Sequence, residues 1–404
     1  MSQGQKKKPL EGVRVLELGA FIGGPFGTRI LADFGAEVIK VEPPQSGDPM
    51  RLWGLHKYKG HSLWWPIQSR NKKCITLDLR RKAGQKLALK LISKCDAVVE
   101  NFRPGILEKW NLGYDKMRTV NPRIILTRVS GYGQTGPYRQ KAGFGSIAEA
   151  IGGIRYITGY PDLPPTRVGL SIGDSLAALY AVIGTLMALY HRDVNKSGQG
   201  QVIDVALYEA VFSVMESALT EYDKLGFIRE RYGTGLPGIA PSNTYPTGDG
   251  KWIVIGANAD NVWRRLARAM GQQDLADDPR FVDHQSRGEH QQILDDIISV
   301  WTRQHTLKEL LESLDRHQVP AGPIYSVADI AKDKHYYHRE MILEAEDPVV
   351  GRIKMPGIVP KLSETPGAVE WTGPRLGEHN QEIYGDLLGL NERKIDDLRK
   401  EGVI

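Results

Sequence analysis

Asp174 is the residue of this chain best placed for covalent chemistry. It stands in Val168-Gly-Leu-Ser-Ile-Gly-Asp-Ser-Leu-Ala-Ala-Leu. A segment with two glycines precedes it, and the long apolar stretch that follows it predicts a helix. A carboxylate at a helix start meets unpaired N–H groups and the positive end of the helix dipole, so it stays ionised and can attack a carbonyl carbon. Asp is also a preferred helix N-cap. The segment alone leaves both interpretations open.

Ser171 is a second candidate nucleophile in the same segment. Gly169-Leu-Ser-Ile-Gly173 matches Gly-x-Ser-x-Gly, the nucleophile elbow of many hydrolases. An elbow requires a strand directly before the serine and a helix directly behind it, whereas the helical pattern here begins only after Asp174. No histidine is placed as an evident base for the serine. The sequence therefore favours Asp174.

A glycine-rich turn follows the first predicted strand, Gly19-Ala-Phe-Ile-Gly-Gly-Pro-Phe-Gly. It departs from the dinucleotide fingerprint because Gly19 and Gly23 are too far apart and Pro25 stands where an N–H should meet pyrophosphate. The turn still favours close approach of the backbone to some other ligand. The sequence contains no Walker loop and no His-x-x-x-His run, so ATP hydrolysis and metal-dependent hydrolysis lack support.

Basic residues recur just outside the predicted strand ends. The carboxyl edge of a doubly wound sheet is where ligands bind, and several cations there would suit a polyanion with separated phosphates. For any single residue, a solvated position on the surface is the better interpretation. The phosphate-binding interpretation therefore rests on the recurrence of basic residues after successive strands. The set is Arg70, Lys72, Lys73, Arg80, Arg81, Arg103, Lys109, Arg139 and Lys141.

The composition is typical of an ordinary globular protein, and the length predicts two or three domains. The 404 residues include 53 basic and 48 acidic side chains, and this near balance does not suggest a nucleic-acid surface. Cys74 and Cys95 are expected to pack in the core, and they support neither a disulfide framework nor a metal site. The basic segment Met1 to Pro9 lacks a secretory core, and Leu176 to Tyr190 is short for a membrane span, so a buried helix and a cytoplasmic location are expected.

Alternating β-rich and helical segments predict an α/β fold. The fold class is a Rossmann-like, doubly wound parallel sheet with a smaller α+β domain. The predicted domains are a large N-terminal part at 1–220, a small domain with linkers at 221–330, and a C-terminal segment returning to the large domain at 331–404.

Several helices and one loop follow from the local pattern. Two long helices are predicted at Ser175 to Arg192 and at Tyr208 to Leu225, and a long functional loop or linker at Tyr232 to Pro246. The pair Thr306 and Glu309 predicts a capping box at the start of a later helix.

Ordered motifs along nearly the whole chain resemble the class III coenzyme A transferase family, which includes formyl-CoA:oxalate, carnitine and succinyl-CoA:carboxylate CoA-transferases. So many motifs in the same order are unlikely to coincide. They are Pro9-Leu-Glu-Gly-Val-Arg-Val-Leu-Glu-Leu, Gly24-Pro, Phe34-Gly-Ala-Glu-Val-Ile-Lys-Val-Glu, Asn71-Lys-Lys, Val99-Glu-Asn-Phe-Arg-Pro-Gly, Gly131-Tyr-Gly-Gln-Thr-Gly-Pro, Gly173-Asp, Gly198-Gln-Gly-Gln, Val319-Pro-Ala-Gly-Pro and Leu376-Gly-Glu-His.

The resemblance implies a mechanism with Asp174 as the nucleophile. The carboxylate would attack an acyl-CoA to give a mixed anhydride and then an aspartyl-CoA thioester, from which an acceptor carboxylate takes the CoA. The central steps move no proton, which is compatible with the lack of a convincing histidine base. The positions that match CoA-binding residues of the family are Ile22, Gly23, Leu77, Arg80, Asn101, Phe102, Arg103, Lys109 and, more loosely, Lys141.

Two positions depart from the family pattern. Many members carry an acidic residue after the Gly-Pro loop where this chain has Phe144 and Gly145, which puts a polar contact to the acceptor in doubt. Pro43 replaces a basic residue that some members use for a phosphate. Acyl-CoA racemases of the same fold need a histidine at the position of Phe144, and phenylalanine cannot transfer a proton.

The implied ligands are CoA and acyl-CoA as substrates, with no tightly bound cofactor and no metal. Succinyl-CoA is the expected donor and a small carboxylate, preferably a dicarboxylate, the expected acceptor, whose second carboxylate could meet Arg70 or Arg167. The family also implies an interlocked homodimer, with no nucleic-acid or membrane partner. Two alternatives stay open: a 2-methylacyl-CoA racemase or epimerase, and a non-catalytic CoA-binding subunit.

Overall fold

The largest sheet of the described chain is parallel and has six strands. The computed structural model describes residues 7–404, and Met1 to Lys6 of the predicted basic N-terminal segment lie outside the described residues. The strands of this sheet, numbered along the chain, are β1 (Arg14–Glu17), β2 (Glu37–Glu42), β3 (Lys72–Thr76), β4 (Ala97–Glu100), β5 (Ile125–Ser130) and β6 (Val202–Ala206). They lie side by side in the order β3-β2-β1-β4-β5-β6. This order places the topological switch point between β1 and β4, where open α/β sheets bind their ligands.

Both faces of the sheet are buried because each is covered by helices, and successive strand residues pack on opposite sides. On one face Val15 packs with residues of the helices Pro25–Asp33 and Ile172–Asp193. On the other face Leu16 packs with the helix Lys82–Ile92 and with residues near the C-terminus. The α/β fold class expected from the alternating pattern is therefore confirmed. Cys74 and Cys95 are buried, as expected.

The described residues divide into two compact units. Of residues 7–404, the first contains 7–154, 168–220 and 335–404, and the second contains 155–167 and 221–334. The predicted three-part domain division stays a prediction, because compactness does not show which segments fold independently.

The first unit contains most of the helices and two short antiparallel pairs. Its remaining helical segments are Pro49–Leu52, Trp65–Gln68, Ile106–Lys109, Tyr114–Val120, Gly145–Ile151, Leu207–Phe212, the π-helical Glu382–Leu387 and Glu392–Lys400. Three further helices cross the boundary between the units along the chain: Ile154–Ile157, Ala218–Leu225 and Lys334–His338. The antiparallel pairs are Lys57–Tyr58 with His61–Ser62, and Ile342–Asp347 with Gly351–Pro356.

The second unit is an antiparallel sheet packed with helices. The strands Ser242–Pro246, Trp252–Gly256 and Ala321–Pro323 pair with the middle one at the centre. The predicted capping box is confirmed, because Thr306 and Glu309 satisfy each other's backbone N–H groups. The helical segments are Asp260–Ala269, Gln273–Ala276, His284–Glu289, Gln291–Thr302, Leu307–Arg316 and Val327–Ile330.

Two sequence-based assignments were wrong in their extent. The helix predicted from Tyr208 to Leu225 is interrupted after Phe212, because Ser213 donates its hydroxyl to Ala210 O and Glu216 adopts a left-handed φ of 50° that a right-handed helix cannot continue through. The loop predicted from Tyr232 to Pro246 ends in a strand.

The long helix Ile172–Asp193 is buried on one side only. Within residues 7–404 it is the one helix long and apolar enough to cross a membrane, judged by length and composition. Ala177, Ala181 and Ala188 pack in the core. Apolar side chains on its other side are exposed, so the helix that was expected to be buried is buried in part.

Four charged side chains form a buried network beneath the first glycine turn. Glu17 accepts from Lys40 Nζ at 2.6 Å and from Lys72 Nζ at 2.7 Å, and Lys40 also pairs with Asp48 at 2.7 Å. All four are at most 2% exposed. Lys40 also donates to Gly19 O at 3.1 Å. The network therefore ties the end of β1 to the turn that follows it.

The network makes stability sensitive to acid. Burial raises the pKa of Glu17, but the charges of Lys40 and Lys72 outweigh burial and lower the pKa to about 2 from 4.5. Stability present above pH 4.5, on the order of 3 kcal/mol, is lost as the pH falls toward 2. Glu17→Gln should lower the free energy of unfolding by about 3 kcal/mol near neutrality, since it leaves two buried ammonium groups undercompensated.

Denaturant unfolding at a series of pH values measures this effect, with the exposed Glu401→Gln as control. The difference between wild type and Glu17→Gln should shrink below pH 4.5 as Glu17 protonates. A difference that stays constant down to pH 3 would contradict the assigned ionisation.

Candidate active site

The first glycine turn is held from both sides by side chains of neighbouring loops. Asn101 accepts from Ala20 N at 2.9 Å and donates to Ala20 O at 2.8 Å, so one amide fixes both backbone groups of that residue. A Cβ at Gly19 would lie 2.6 Å from Asn101 Oδ1, so glycine is required there. Asp48 accepts from Phe21 N at 3.3 Å, and Phe21 adopts a φ of 63°. The turn is therefore held in a conformation that a free chain rarely adopts.

The loop after β4 is fixed by a buried ion pair. Glu100 accepts from Arg128 Nε at 2.6 Å and from Phe102 N at 2.7 Å. Arg128 also reaches Glu108 at 2.7 Å. These bonds orient Asn101 and Phe102 at the carboxyl end of the sheet, next to the first glycine turn. The two loops that flank the switch point thus support each other.

Asp174 lies in the first turn of its helix and approaches two glycines. Its carboxylate is so close to Gly145 that a Cβ there would overlap Oδ2 and lie 2.7 Å from Cγ. A Cβ at Gly23 would lie 3.5 Å from Oδ1. The helix begins at Ile172 with Ser171 as its N-cap residue, so the N-cap interpretation of Asp174 was wrong. The carboxylate still sits at the positive end of the helix dipole.

The helix start also corrects the argument about Ser171. The helix follows this serine directly, contrary to the expected start after Asp174. The residues that precede Ser171 form no strand in the described chain, so the strand half of a nucleophile elbow is missing.

A cavity of about 300 Å³ opens in front of Asp174. It carries one carboxylate and three cationic side chains, Arg103, Arg139 and Lys141. Its remaining lining residues are Ala20, Phe21, Gly23, Asn101, Phe102, Pro104, Val129, Ser130, Gly131, Gly143, Phe144 and Leu207. We call it the Asp174 cavity.

A second cavity of about 290 Å³ shares Ala20 and Phe102 with the Asp174 cavity. Leu77 and Arg80 line it, together with Pro43 and Trp110. Phe102 packs edge-on against Trp110 with 5.1 Å between ring centroids. We call it the β3 cavity because it lies beside the residues that follow β3. One elongated ligand could pass from it to Asp174 along Ala20 and Phe102.

Most residues predicted to bind CoA line one of these two cavities. Gly23, Asn101, Phe102, Arg103 and Lys141 line the Asp174 cavity, and Leu77 and Arg80 line the β3 cavity. Ile22 and Lys109 line neither.

The two exceptions have structural reasons. Ile22 is buried against Met50, Trp65 and Cys74, where it supports the turn from below. Lys109 is exposed at the end of the short helix Ile106–Lys109. A ligand reaching out of the cavities would be needed to meet its ammonium group.

Two predicted surface cations are buried instead. Arg70 is 1% exposed and is held by Asp33, at 2.7 Å, and by Pro356 O, at 2.8 Å. Lys72 belongs to the buried network with Glu17. The suggestion that Arg70 meets a second carboxylate of the acceptor was therefore wrong, because its guanidinium is already paired.

Sequence reasoning did not identify an aromatic wall beside the Asp174 cavity. Phe21 stacks edge-on to Phe144 at 6.3 Å and lies 5.1 Å from Trp53, measured between ring centroids. Phe144 is 66% exposed and Trp53 is 37% exposed, and with Phe21 they form a contiguous apolar patch, which is a signal of a binding surface. The close approach of Asp174 to Gly145 was also missed, since a required glycine at a helix start has no distinctive sequence pattern.

Comparison with known proteins places the chain in a family. A model of CoA-transferase family III matches residues 10–380. The succinyl-CoA--D-citramalate CoA-transferase of Chloroflexus aurantiacus is 58% identical over 404 residues and 100% of both chains, and the succinyl-CoA--L-malate CoA-transferase beta subunit of that organism is 41% identical over 98% of both. A CaiB/BaiF family protein from Brucella suis has 33% identity and a TM-score of 0.82 over 95% of this chain and 100% of that one. The chain therefore belongs to CoA-transferase family III and is an enzyme of this class.

Proposed function

We propose that this enzyme transfers CoA from succinyl-CoA to a small dicarboxylate through covalent intermediates on Asp174. The observation that carries the proposal is that the half-buried Asp174 lines a cavity beside the switch point of the sheet. Its carboxylate lies close to the backbone of Gly145 and Gly23. The names of the relatives support the substrate class, because both transferases above take succinyl-CoA with a dicarboxylate.

CoA binds with its nucleotide part in the β3 cavity and its thioester beside Asp174. Arg80 at the β3 cavity is exposed and supplies positive charge for a phosphate group, although it already pairs with Asp78 at 2.9 Å. The pantetheine arm then runs past Ala20 and Phe102, the residues common to both cavities. This pose assigns Leu77 to the nucleotide part and Asn101 to the support of the turn that the thioester approaches.

In the first half-reaction, the enzyme releases succinate and retains CoA as a thioester of Asp174. An Asp174 oxygen attacks the thioester carbonyl of succinyl-CoA, the C–S bond breaks, and a mixed anhydride and CoA thiolate form. The thiolate attacks the Asp174 carbonyl carbon of the anhydride, which releases succinate and leaves an aspartyl-CoA thioester. Succinate leaves with one oxygen that belonged to Asp174.

The second half-reaction runs the same steps backwards with the acceptor. An acceptor carboxylate attacks the aspartyl-CoA thioester and forms a second anhydride, and the released thiolate attacks the acceptor's carbonyl carbon. The new acyl-CoA departs and Asp174 regains its charge, carrying one oxygen from the acceptor. No general base is required, because every nucleophile in the sequence is already an anion.

Backbone N–H groups of the first glycine turn can stabilise the tetrahedral oxyanions. Within residues 7–404, the N–H groups of Ile22 and Gly23 donate no hydrogen bond to the protein. Gly23 lines the Asp174 cavity. Donors fixed beforehand by Asn101 and Asp48 lower the barrier without reorganisation during the reaction.

The racemase alternative needs a proton-transferring residue in the cavity. No histidine lines the Asp174 cavity, and Phe144 occupies the position where a racemase of this fold would carry one. Transfer to an acceptor acid is therefore favoured over exchange of the α-proton.

We also infer that the active protein is an interlocked homodimer, as the family resemblance implies. Apolar side chains exposed on the outer side of the Asp174 helix support this inference, since a monomer rarely leaves so many together on one helix. They are Leu179, Tyr180, Ile183, Leu186, Met187 and Tyr190. Light scattering of the purified chain should give twice the monomer mass; a monomer active at the same concentration would refute the dimer.

The proposed transfer is tested by incubating the protein with succinyl-CoA and a panel of small carboxylates. New acyl-CoA and free succinate should appear in equal amounts with a dicarboxylate, and the α-proton of a branched acyl-CoA should not exchange with deuterated water. Mass spectrometry follows both reactions. Deuterium uptake without an acceptor would instead establish the racemase, and neither activity would favour a non-catalytic subunit.

A further inference from the structure

We propose that Arg139 binds the distal carboxylate of the transferred acyl group, and that this one subsite is used twice in each catalytic cycle. It first holds the free carboxylate of the succinyl group and then the second carboxylate of the acceptor. This inference rests on the proposed function and adds the residue that selects dicarboxylates.

Arg139 is an uncompensated cation at the Asp174 cavity. It lines that cavity and is exposed. Its guanidinium forms no ion pair or hydrogen bond within the described chain, whereas Arg128 and Arg70 are fully engaged by carboxylates. Lys141, the neighbouring cation, rests on the ring of Tyr138 at 3.5 Å. Arg139 therefore has its fork of donors available for a ligand.

The ligand of Arg139 is a carboxylate rather than a phosphate. CoA carries its phosphates at the nucleotide end, and the pantetheine arm that reaches the thioester is uncharged. Arg139 lines only the Asp174 cavity and takes no part in the β3 cavity, where Arg80 lies. In front of Asp174 the charged ligand groups are therefore those of the acyl donor and the acceptor. A guanidinium binds such a group through two parallel hydrogen bonds.

The loop that carries Arg139 is anchored at its base. Gly131 and Gly143 approach so closely that a Cβ on either would lie 3.0 Å from the Cα of the other. Gly133 N donates to Ser130 Oγ at 3.0 Å and Gln134 N donates to Asp204 Oδ2 at 2.8 Å. These contacts join the loop to the end of β5 and to the middle of β6, so the base of the loop that carries Arg139 is fixed.

The double use follows from the chemistry at Asp174. Both half-reactions place a carbonyl carbon of the acyl group against the same carboxylate, first as the donor thioester and then as the acceptor anhydride. The chain that extends from that carbon therefore enters the same part of the cavity in both cases, and Phe21, Phe144 and Arg139 all line this cavity. A substrate without a distal carboxylate leaves Arg139 unpaired in either half-reaction.

Steady-state kinetics of wild type, Arg139→Gln and Arg139→Lys test the subsite. Each protein is assayed with succinyl-CoA and with butyryl-CoA, which has the same carbon number and no free carboxylate, and with dicarboxylate and monocarboxylate acceptors. Arg139→Gln should lower kcat/KM about 10- to 100-fold for succinyl-CoA and for the dicarboxylate, since a charge-assisted hydrogen bond is lost. Values for butyryl-CoA and the monocarboxylate should change little. Arg139→Lys should recover part of the loss, and the exposed Arg393→Gln serves as control.

The outcomes separate this inference from the proposed function. An equal loss with succinyl-CoA and butyryl-CoA would identify Arg139 as a CoA contact and overturn the subsite. Selective loss for the donor but not for the acceptor would overturn the double use. Unchanged kinetics in Arg139→Gln would remove Arg139 from the site while leaving the transfer intact. A wild-type protein that transfers no CoA from succinyl-CoA would refute the proposed function itself.

Discussion

Asp174→Ala is expected to lower kcat for CoA transfer by at least about 10⁴-fold, the scale of loss when a covalent nucleophile is removed. Alanine cannot form the anhydride or the thioester, and no other carboxylate lines the Asp174 cavity within residues 7–404. Initial rates of succinyl-CoA consumption with a dicarboxylate acceptor measure the effect.

Binding of CoA should survive that substitution, because the glycine turn and the β3 cavity do not depend on the carboxylate. Isothermal titration with CoA checks this point, and Asp386→Asn, an exposed change elsewhere in the first unit, should keep full activity. Transfer that continues in Asp174→Ala at more than a hundredth of the wild-type rate would contradict the role of Asp174.

Gly145→Ala is expected to lower kcat about 10²-fold while the protein stays folded. The new methyl group would overlap Asp174 Oδ2 and lie 2.7 Å from Cγ, so the carboxylate must move or rotate away. A displacement of about 1 Å at a reacting group is enough for such a loss, because the attack geometry is no longer satisfied. Steady-state kinetics with succinyl-CoA should show the loss in kcat.

Gly169→Ala is the matched control, since no atom lies within 4 Å of the position of its Cβ. Thermal unfolding of both variants should show similar stability. Equal activity in Gly145→Ala and wild type would mean that the carboxylate is free to move, against the close approach described above.

The parallel sheet was predictable from sequence because each strand is a short β-rich run and each crossover is helical. The strand Glu37–Glu42, for example, is the run Glu-Val-Ile-Lys-Val-Glu, in which three of the six residues are β-branched. The break after Phe212 was not predictable from periodicity, since it depends on a single left-handed residue, Glu216, within an otherwise helical composition. The one-sided burial of the Asp174 helix could not be predicted from its sequence, because its exposed side also carries apolar residues such as Leu179, Ile183 and Leu186.

At the site, sequence reasoning identified Asp174 and most of the residues lining the two cavities. It misjudged cations, because Arg70 and Lys72 follow the same loop pattern as Arg80 but find buried carboxylates across the fold. Such pairings join residues far apart in the chain. For the same reason it could not reveal that Asp174 packs against Gly145, a contact between two helix starts.

The transfer of heavy oxygen into Asp174 tests the central claim most directly. The enzyme is incubated with succinyl-CoA and an acceptor whose carboxylates carry oxygen-18. After proteolytic digestion, the mass of the peptide that contains Asp174 is measured by mass spectrometry. The covalent route predicts that Asp174 gains oxygen-18, since each cycle gives its carboxylate one acceptor oxygen. Full turnover with an unlabelled Asp174 would show that the acceptor attacks succinyl-CoA directly, and would contradict the mechanism.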